Sequence, residues 1–231
     1  MYALGVRSLP EGPEWLYEIK LDGYRCLAGK DDSGVNLWSR RGNIFTSQFP
    51  AIAKACERLP TGTLVDGEII VTDSEGRISF NTLQHHRSKA SAIRFYVFDL
   101  LIHSGRNVLH EPLLKRRDAL TDLLRPVRKN SPVIELSQTV AVPASEMIRA
   151  VTELGLEGII AKRQDSLYES GKRSGSWLKY KINKGQEFVV GGYTQGNPFD
   201  AVIVGYYQGD KLLLKSVLAL CRIHGATLCP A

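Results

Sequence analysis

Lys20 lies in a segment whose charged residues could serve covalent phosphate chemistry. In "YEIKLDGYR", Glu18 precedes Lys20 by two residues, and Asp22 and Arg25 follow it. A lysine amine can attack an α-phosphate in line with departing pyrophosphate, but only when it is unprotonated. Neighbouring cations favour the neutral amine. We therefore interpret Lys20 as a nucleophile, and the alternative is a lysine on a solvated strand face.

Further cations suited to a phosphate lie far along the chain. Lys179 and Lys181 of "WLKYK" alternate, so on a strand both would point to one face. There they could neutralise charge that develops on an α-phosphate during transfer. They belong to a basic run, residues 162–184, for which a solvated basic face is the alternative interpretation.

The composition is that of an ordinary globular protein with a mildly basic balance. The 231 residues include 30 Lys and Arg against 24 Asp and Glu, a net charge of +6 that is compatible with nucleic acid or nucleotide partners. The four cysteines form no CxxC pair and have no metal-ligand spacing with the five histidines, which predicts reduced thiols. No segment has the length and apolar character of a membrane span, so we expect a cytoplasmic protein.

Strand-like segments separated by short turns predict an α+β fold of antiparallel sheets with helices packed outside. Residues 15–30 and 34–40 are expected to be neighbouring strands joined by "DDSG". Later strands are predicted in "GTLVDGEIIVTD", "IRFYVFDLL", "LEGIIAKR", "SWLKYKI" and "EFVVGGYTQ", followed by a hairpin that turns at residues 208–210. Apolar periodicity predicts helices over residues 48–58, 79–87, 111–125 and 143–155.

Five segments occur in an order that resembles the covalent nucleotidyltransferase superfamily of ATP-dependent DNA ligases, RNA ligases and mRNA capping enzymes. They are "KLDGYR", "DGE", "FDLL", "EGIIAKR" and "WLKYK". With "SRRGN" and "QEFVVGGYT", they resemble above all the ligase domain of bacterial ligase D and its stand-alone relatives. The resemblance implies a nucleotidyltransferase (ATP-grasp-like) fold, with an adenylation domain over residues 1–194 and an incomplete OB-fold fragment over residues 195–231.

The resemblance also implies a role for each matching position. Lys20 would carry AMP covalently, and Arg25, Lys179 and Lys181 would complete the catalytic set. Glu18 would accept a hydrogen bond from the adenine amine, and Phe98 would stack on the base. The expected contacts to ATP come from Glu18, Ile19, Lys20, Arg25, Arg40 (or Arg41 in a shifted register), Glu68, Phe98, Lys162, Lys179 and Lys181.

A divalent cation and DNA are the other ligands that the resemblance implies. Glu157 would bind Mg²⁺ or Mn²⁺ through a hard carboxylate oxygen, and Glu68 would contact the ribose or the metal. Nicked double-stranded DNA is the expected macromolecular partner. The likeness to ligase D suggests a Ku-type end-joining protein as a further one.

The likeness ends within the C-terminal segment. "VGYYQGDKLLL" resembles the opening strands of an OB-fold, the domain that orients pyrophosphate and clamps DNA in these enzymes. We therefore expect a DNA ligase core with weak self-adenylation and better retained final phosphodiester formation. Two alternatives stay open: a module that binds AMP or nicked DNA without turnover, and an RNA ligase or capping-type nucleotidyltransferase.

Overall fold

The computed structural model describes residues 1–72, 93–140, 142–182, 189–196 and 199–219, so the helix predicted over residues 79–87 lies outside the described residues. The chain forms two compact units, Met1–Ile182 and Asn183–Ala231. The predicted domain boundary between residues 194 and 195, and the assignment of the second domain to an OB-fold, stay predictions. Within the described ranges, none of the helices is both long enough and apolar enough to cross a membrane.

The first unit contains eleven strands and three helices among its described residues. The strands are β1 (Leu4–Gly5), β2 (Trp15–Lys20), β3 (Tyr24–Asp31), β4 (Gly34–Ser39), β5 (Thr63–Val71), β6 (Ile93–His103), β7 (Arg106–Asn107), β8 (Ile134–Leu136), β9 (Thr139–Val140), β10 (Gly158–Arg163) and β11 (Trp177–Lys181). The helices are α1 (Pro50–Cys56), α2 (Leu113–Asn130) and α3 (Ala144–Glu153).

Two sheets form the frame of this unit. One has the strand order β1-β11-β10-β2-β9, and the other has the order β4-β3-β5-β6-β7 with β8 paired to β6. All neighbours are antiparallel except the pairs β1–β11 and β6–β8, which are parallel. The predicted α+β class with mainly antiparallel sheets is confirmed.

The prediction of one continuous strand over residues 15–30 is wrong, because the chain passes from one sheet to the other at "LDG". β2 ends at Lys20 and β3 begins at Tyr24, and the two strands belong to different sheets. At the crossing, a Cβ atom on Gly23 would lie only 2.1 Å from the carbonyl oxygen of Ile69 on β5. Glycine is therefore required where the chain passes against the backbone of the second sheet.

Three apolar clusters hold these layers together. The largest packs the six-stranded sheet against α1 and α2, with Phe95 and Leu120 among its fully buried members. A second packs the five-stranded sheet against α3, around Met147 and Ile159. The third contains residues of both sheets, including Leu101 and Trp177, so the sheets pack on each other.

The helices agree with the predicted periodicity and differ at their ends. α1 and α3 lie within the predicted ranges. α2 begins at Leu113 and continues past the predicted end at residue 125, with Pro126 inside the helix. The last turns persist because Leu123, Leu124 and Val127 are buried against the core, and tertiary packing outweighs the poor helix propensity of proline.

The second unit contains one sheet of three described strands, β12 (Val189–Gln195), β13 (Phe199–Gln208) and β14 (Lys211–Ala219), in that order. The neighbours are antiparallel. The predicted hairpin is present, and its turn contains Gly209 with a positive φ of 61°.

A fully buried ion pair connects α2 to β6. Arg116 donates two hydrogen bonds to Asp99, from Nε at 2.8 Å and from Nη2 at 2.9 Å, and both side chains are 0% exposed. Arg116 Nη1 also donates to the carbonyl oxygens of Glu111 and Ser166. One guanidinium thus provides hydrogen bonds to a buried carboxylate and to two backbone carbonyl oxygens outside the strands.

We expect Arg116→Met to lower the free energy of unfolding by about 3–5 kcal/mol, because it leaves the Asp99 carboxylate buried without its partner. Urea unfolding at neutral pH measures this loss. The matched control is Arg125→Met on the same helix, whose ion pair with Asp122 is largely exposed and should contribute at most about 0.5 kcal/mol. Equal losses of unfolding free energy in the two variants would contradict a stabilising role for the buried Arg116–Asp99 pair.

Candidate active site

Strand register brings the predicted lysines onto one face of the five-stranded sheet. β10 lies between β2 and β11, and both pairings are antiparallel. Gly158 of β10 lies between Lys20 and Lys181, and the next row places Glu18 level with Lys179. Because directly paired residues project to the same side of a sheet, these four charged side chains share a face.

Glu157 immediately precedes β10 and lies between two of these lysines. Lys20 Nζ donates to its Oε2 atom, and Lys181 Nζ lies 3.2 Å from its Oε1 atom. A Cβ atom on Gly158 would lie 2.2 Å from the carbonyl oxygen of Tyr180, so this position admits only glycine without rearrangement. With glycine at position 158, the Glu157 side chain lies between Lys20 of β2 and Lys181 of β11.

A cavity of about 220 Å³ extends from Lys20 between the two sheets. Its polar lining residues are Tyr2, Glu18, Lys20, Arg25, Arg40, Glu68, Ser137, Lys162, Arg173 and Lys179, and its other lining residues are Ala3, Ile19, Leu21, Phe98, Ile160 and Trp177. The structure thus places every predicted ATP-contacting residue in the wall except Lys181, which adjoins it through Glu157. Of the two arginines considered in "SRRGN", Arg40 lines the cavity.

One end of the cavity combines a buried carboxylate, a buried ammonium and aromatic rings. Lys162 Nζ donates to Glu18 Oε1 at 2.9 Å and lies 4.3 Å from the ring centroids of both Phe98 and Trp177. Lys162 is only 2% exposed, so desolvation lowers its pKa. The contacts with the Glu18 carboxylate and with the two π faces compensate for this desolvation of the Lys162 ammonium.

Arg25 is held by the second sheet. It forms a two-bonded pair with Asp66, from Nε at 3.0 Å and from Nη2 at 2.6 Å, and Asp66 also accepts a hydrogen bond from the Tyr168 hydroxyl at 2.7 Å. Burial raises the pKa of Tyr168, so its hydroxyl keeps its proton. The guanidinium is thereby fixed at the cavity wall, 5.6 Å from the Phe98 ring centroid.

The ring of Tyr2 contacts three arginine side chains of the cavity wall, a role that the sequence did not predict. Arg40, Arg25 and Arg173 have their guanidinium carbons 4.2, 5.4 and 5.5 Å from the Tyr2 ring centroid. Among the described residues, Arg40, Arg173 and Lys179 have no ion pair with a carboxylate. Arg173 is part of the basic run noted in the sequence, whereas nothing there indicates Tyr2.

Burial shifts the pKa values of two further groups in the wall. Desolvation raises the pKa of Glu68 to about 8, against the opposing effect of Lys20 and Arg25. Desolvation, followed by the charges of Lys181 and Arg173, lowers the pKa of Lys179. The cavity therefore presents a carboxyl group that is largely neutral at pH 7, beside several cations.

Comparison with known proteins shows the family of this chain. A family described as "ATP dependent DNA ligase domain" matches residues 6–181. The chain is 37% identical over 213 residues to the multifunctional non-homologous end joining protein LigD of Pseudomonas aeruginosa, covering 89% of this chain and 25% of that protein. It is 34% identical over 184 residues to the SPbeta prophage-derived DNA ligase-like protein LigB of Bacillus subtilis, covering 78% of this chain and 66% of that protein.

Solved structures show the same architecture. A mycobacterial DNA ligase D complexed with ATP and MES is similar with a TM-score of 0.70 and 28% identity, covering 94% of this chain and 72% of that chain. This likeness confirms the predicted nucleotidyltransferase fold. The chain spans about a quarter of the length of the LigD proteins from Pseudomonas aeruginosa and Mycobacterium bovis. Because the family match covers well over half of its residues, this chain belongs to the ATP-dependent DNA ligase domain family.

Proposed function

We propose that this chain uses ATP to form a covalent lysyl-AMP at Lys20 and transfers the adenylate to the 5′-phosphate of nicked DNA. The observation that carries the proposal is the contact of the Glu157 carboxylate with both Lys20 and Lys181, the two lysines that pair with the neighbouring Gly158 of β10. A nucleophilic amine, a carboxylate and a cationic surface are the groups that nucleotidyl transfer requires.

In the first step, Lys20 Nζ, as the neutral amine, attacks the α-phosphorus of ATP and forms a P–N bond while the bond to the bridging oxygen breaks, and the amine releases a proton to solvent. The electron pair of that bond leaves with pyrophosphate. Lys179 shares the face of Lys20, and Arg40 and Arg173 line the same cavity without a carboxylate partner among the described residues. These three cations are suited to stabilising the negative charge of the phosphates.

The residues around Glu157 fit a divalent cation. Mg²⁺ in nucleotide sites takes one or two carboxylates and completes its shell with water and phosphate oxygens. Glu157 has a partly exposed carboxylate at the cavity edge, and the described residues contain no cluster of three metal-ligating side chains that would suggest a separate protein cage. A bound metal would supply charge neutralisation at the phosphates. Engagement of Glu157 as a ligand would leave Lys20 without its anionic partner.

Glu68 is suited to a different role from Glu157. The resemblance allows both residues as metal ligands. The Glu68 carboxyl group, however, has a pKa of about 8, so it is mostly protonated at neutral pH and can donate a hydrogen bond. Glu68 pairs across the sheet with Arg25, near the buried carboxylate of Asp66. We assign Glu68 to a sugar hydroxyl and Glu157 to the metal.

Two further transfers would complete DNA joining. A 5′-phosphate oxygen attacks the phosphorus of lysyl-AMP, the P–N bond breaks, and the nitrogen takes up a proton to regenerate the amine of Lys20. A 3′-hydroxyl then attacks the 5′-phosphorus and releases its proton to solvent, and AMP leaves with the electron pair of the broken P–O bond. The similar LigD proteins are named for non-homologous end joining, which supports DNA ends as the substrate. The Ku-type partner, and the expectation that the last step is retained better than the first, stay predictions.

Incubation with α-labelled ATP and Mg²⁺ or Mn²⁺ should label the protein, and Lys20→Ala should reduce this label by at least about a thousandfold, since it removes the covalent nucleophile. Lys20→Arg is the matched control for charge, because its guanidinium stays protonated and cannot attack. Acid-stable label measured after denaturing electrophoresis, together with a mass gain of one AMP, identifies the adduct.

Both variants should lose the label together. Label that persists in either variant would contradict the assignment of Lys20 as the nucleophile, because neither alanine nor a protonated guanidinium can form the adduct. Label from GTP in preference to ATP would contradict the proposal that ATP is the substrate, and it would favour capping-type chemistry.

The protonation of Glu68 predicts a pH-dependent stability. Its pKa is raised from 4.5 to about 8 in the folded protein, so unfolding releases a proton between these values and stability is lost as pH rises through this window. Glu68→Gln abolishes this titration. From pH 5 to pH 8, the wild type should lose at least about 1.4 kcal/mol more unfolding free energy than the variant, the equivalent of one pKa unit.

Urea unfolding at the two pH values gives the comparison. Glu153→Gln, at an exposed position of α3, is the matched control and should follow the wild type. The same pH dependence in the wild type and in Glu68→Gln would show that the carboxyl group is not desolvated.

A further inference from the structure

One arginine behind the cavity connects the elements that form its aromatic end. Arg117 of α2 is 7% exposed and is absent from the cavity lining. Its Nη1 donates to Glu18 Oε1 on β2 at 2.7 Å and to the carbonyl oxygen of Phe98 on β6 at 3.2 Å. Its Nη2 donates to the carbonyl oxygen of Ser137 at 2.7 Å. A single planar guanidinium therefore links the two sheets at this point.

The Glu18 carboxylate is almost fully occupied by these neighbours. Oε1 accepts from Arg117 and from Lys162, and Oε2 accepts from the Ser137 hydroxyl at 2.8 Å. A carboxylate has about four lone-pair positions. The described residues fill three of them, which leaves one acceptor position on a group that lines the cavity.

We propose that Arg117 is a positioning residue for base selection, which holds Glu18 so that its remaining acceptor position meets the exocyclic amine of adenine. This inference rests on the proposed function, because it takes an adenine nucleotide as the occupant of the cavity. Arg117 acts on Glu18 directly and also through Ser137, whose carbonyl it holds while the hydroxyl of the same residue donates to Oε2.

The chemistry of this end of the cavity distinguishes purines by their sixth position. An amino group donates to a fixed carboxylate, whereas the keto oxygen of guanine would place an acceptor against an acceptor. Arg117 also holds the carbonyl of Phe98, whose ring lines the cavity and offers a face for stacking. The guanidinium thus controls the relative placement of the acceptor and the aromatic surface.

Equilibrium binding of AMP and of purine riboside 5′-monophosphate, which lacks only the amine, tests the inference by calorimetry. Neither ligand carries a pyrophosphate leaving group, so neither can label Lys20. The wild type should prefer AMP by about tenfold to a hundredfold, the range expected for a hydrogen bond to a charged group. Arg117→Lys keeps the charge but loses the fork geometry, and should reduce this preference below about threefold.

A merely structural role would weaken both ligands equally and leave the preference unchanged. Arg125→Lys, at an exposed position of the same helix, is the matched control and should keep the wild-type preference. Ser137→Ala leaves Arg117 in place and removes only the hydroxyl donor to Oε2, so it should also lower the preference. It provides the decisive variant if Arg117→Lys does not fold.

An unchanged preference in the folded variants, or no binding of AMP by the wild type, would overturn the inference. These outcomes are distinct from failure of the proposed function, which would appear as absence of label at Lys20 while the preference for AMP and its dependence on Arg117 persist.

Discussion

The pairing of buried charges governs the organisation of the first unit of this protein. Asp99 is satisfied by Arg116, Asp66 by Arg25, and Glu18 by Lys162 and Arg117. Each pair joins different elements, and a lone member of any of them would carry a large desolvation cost. The sheets and α2 are consequently fixed relative to one another at the level of hydrogen-bond geometry, in addition to the apolar contacts of the three clusters.

The cavity follows from this arrangement. Its aromatic end is formed by neutralised, tightly held charges, and the part of its wall near Tyr2 contains cations without carboxylate partners among the described residues. This distribution of charge is compatible with the nucleotide of the proposed function. Lys20 lies on the same strand face as Glu18, so strand geometry sets the distance between the proposed base-reading carboxylate and the proposed nucleophile.

Local sequence patterns predicted much of the frame. Alternation in "WLKYK" placed Lys179 and Lys181 on one face, and the structure has them there. The periodicity of residues 111–125 indicated α2, but its end beyond Pro126 depends on burial against the core. The strand expected over residues 15–30 is divided between the two sheets, and the close approach of Gly23 to the distant strand β5 at this point is not visible in the local sequence.

Motif order and residue chemistry in the sequence alone indicated the nucleotidyltransferase class, and they predicted Lys20 as the nucleophile together with the cations and carboxylates around it. Tertiary structure decided which of these groups touch. Arg117 belongs to no motif, and its contacts to Glu18, Phe98 and Ser137 join residues that are 99, 19 and 20 positions away. The raised pKa of Glu68 could not be predicted from its neighbours in the chain either. Desolvation depends on the groups that pack around a carboxyl group in the folded protein and not on the residues beside it in the sequence.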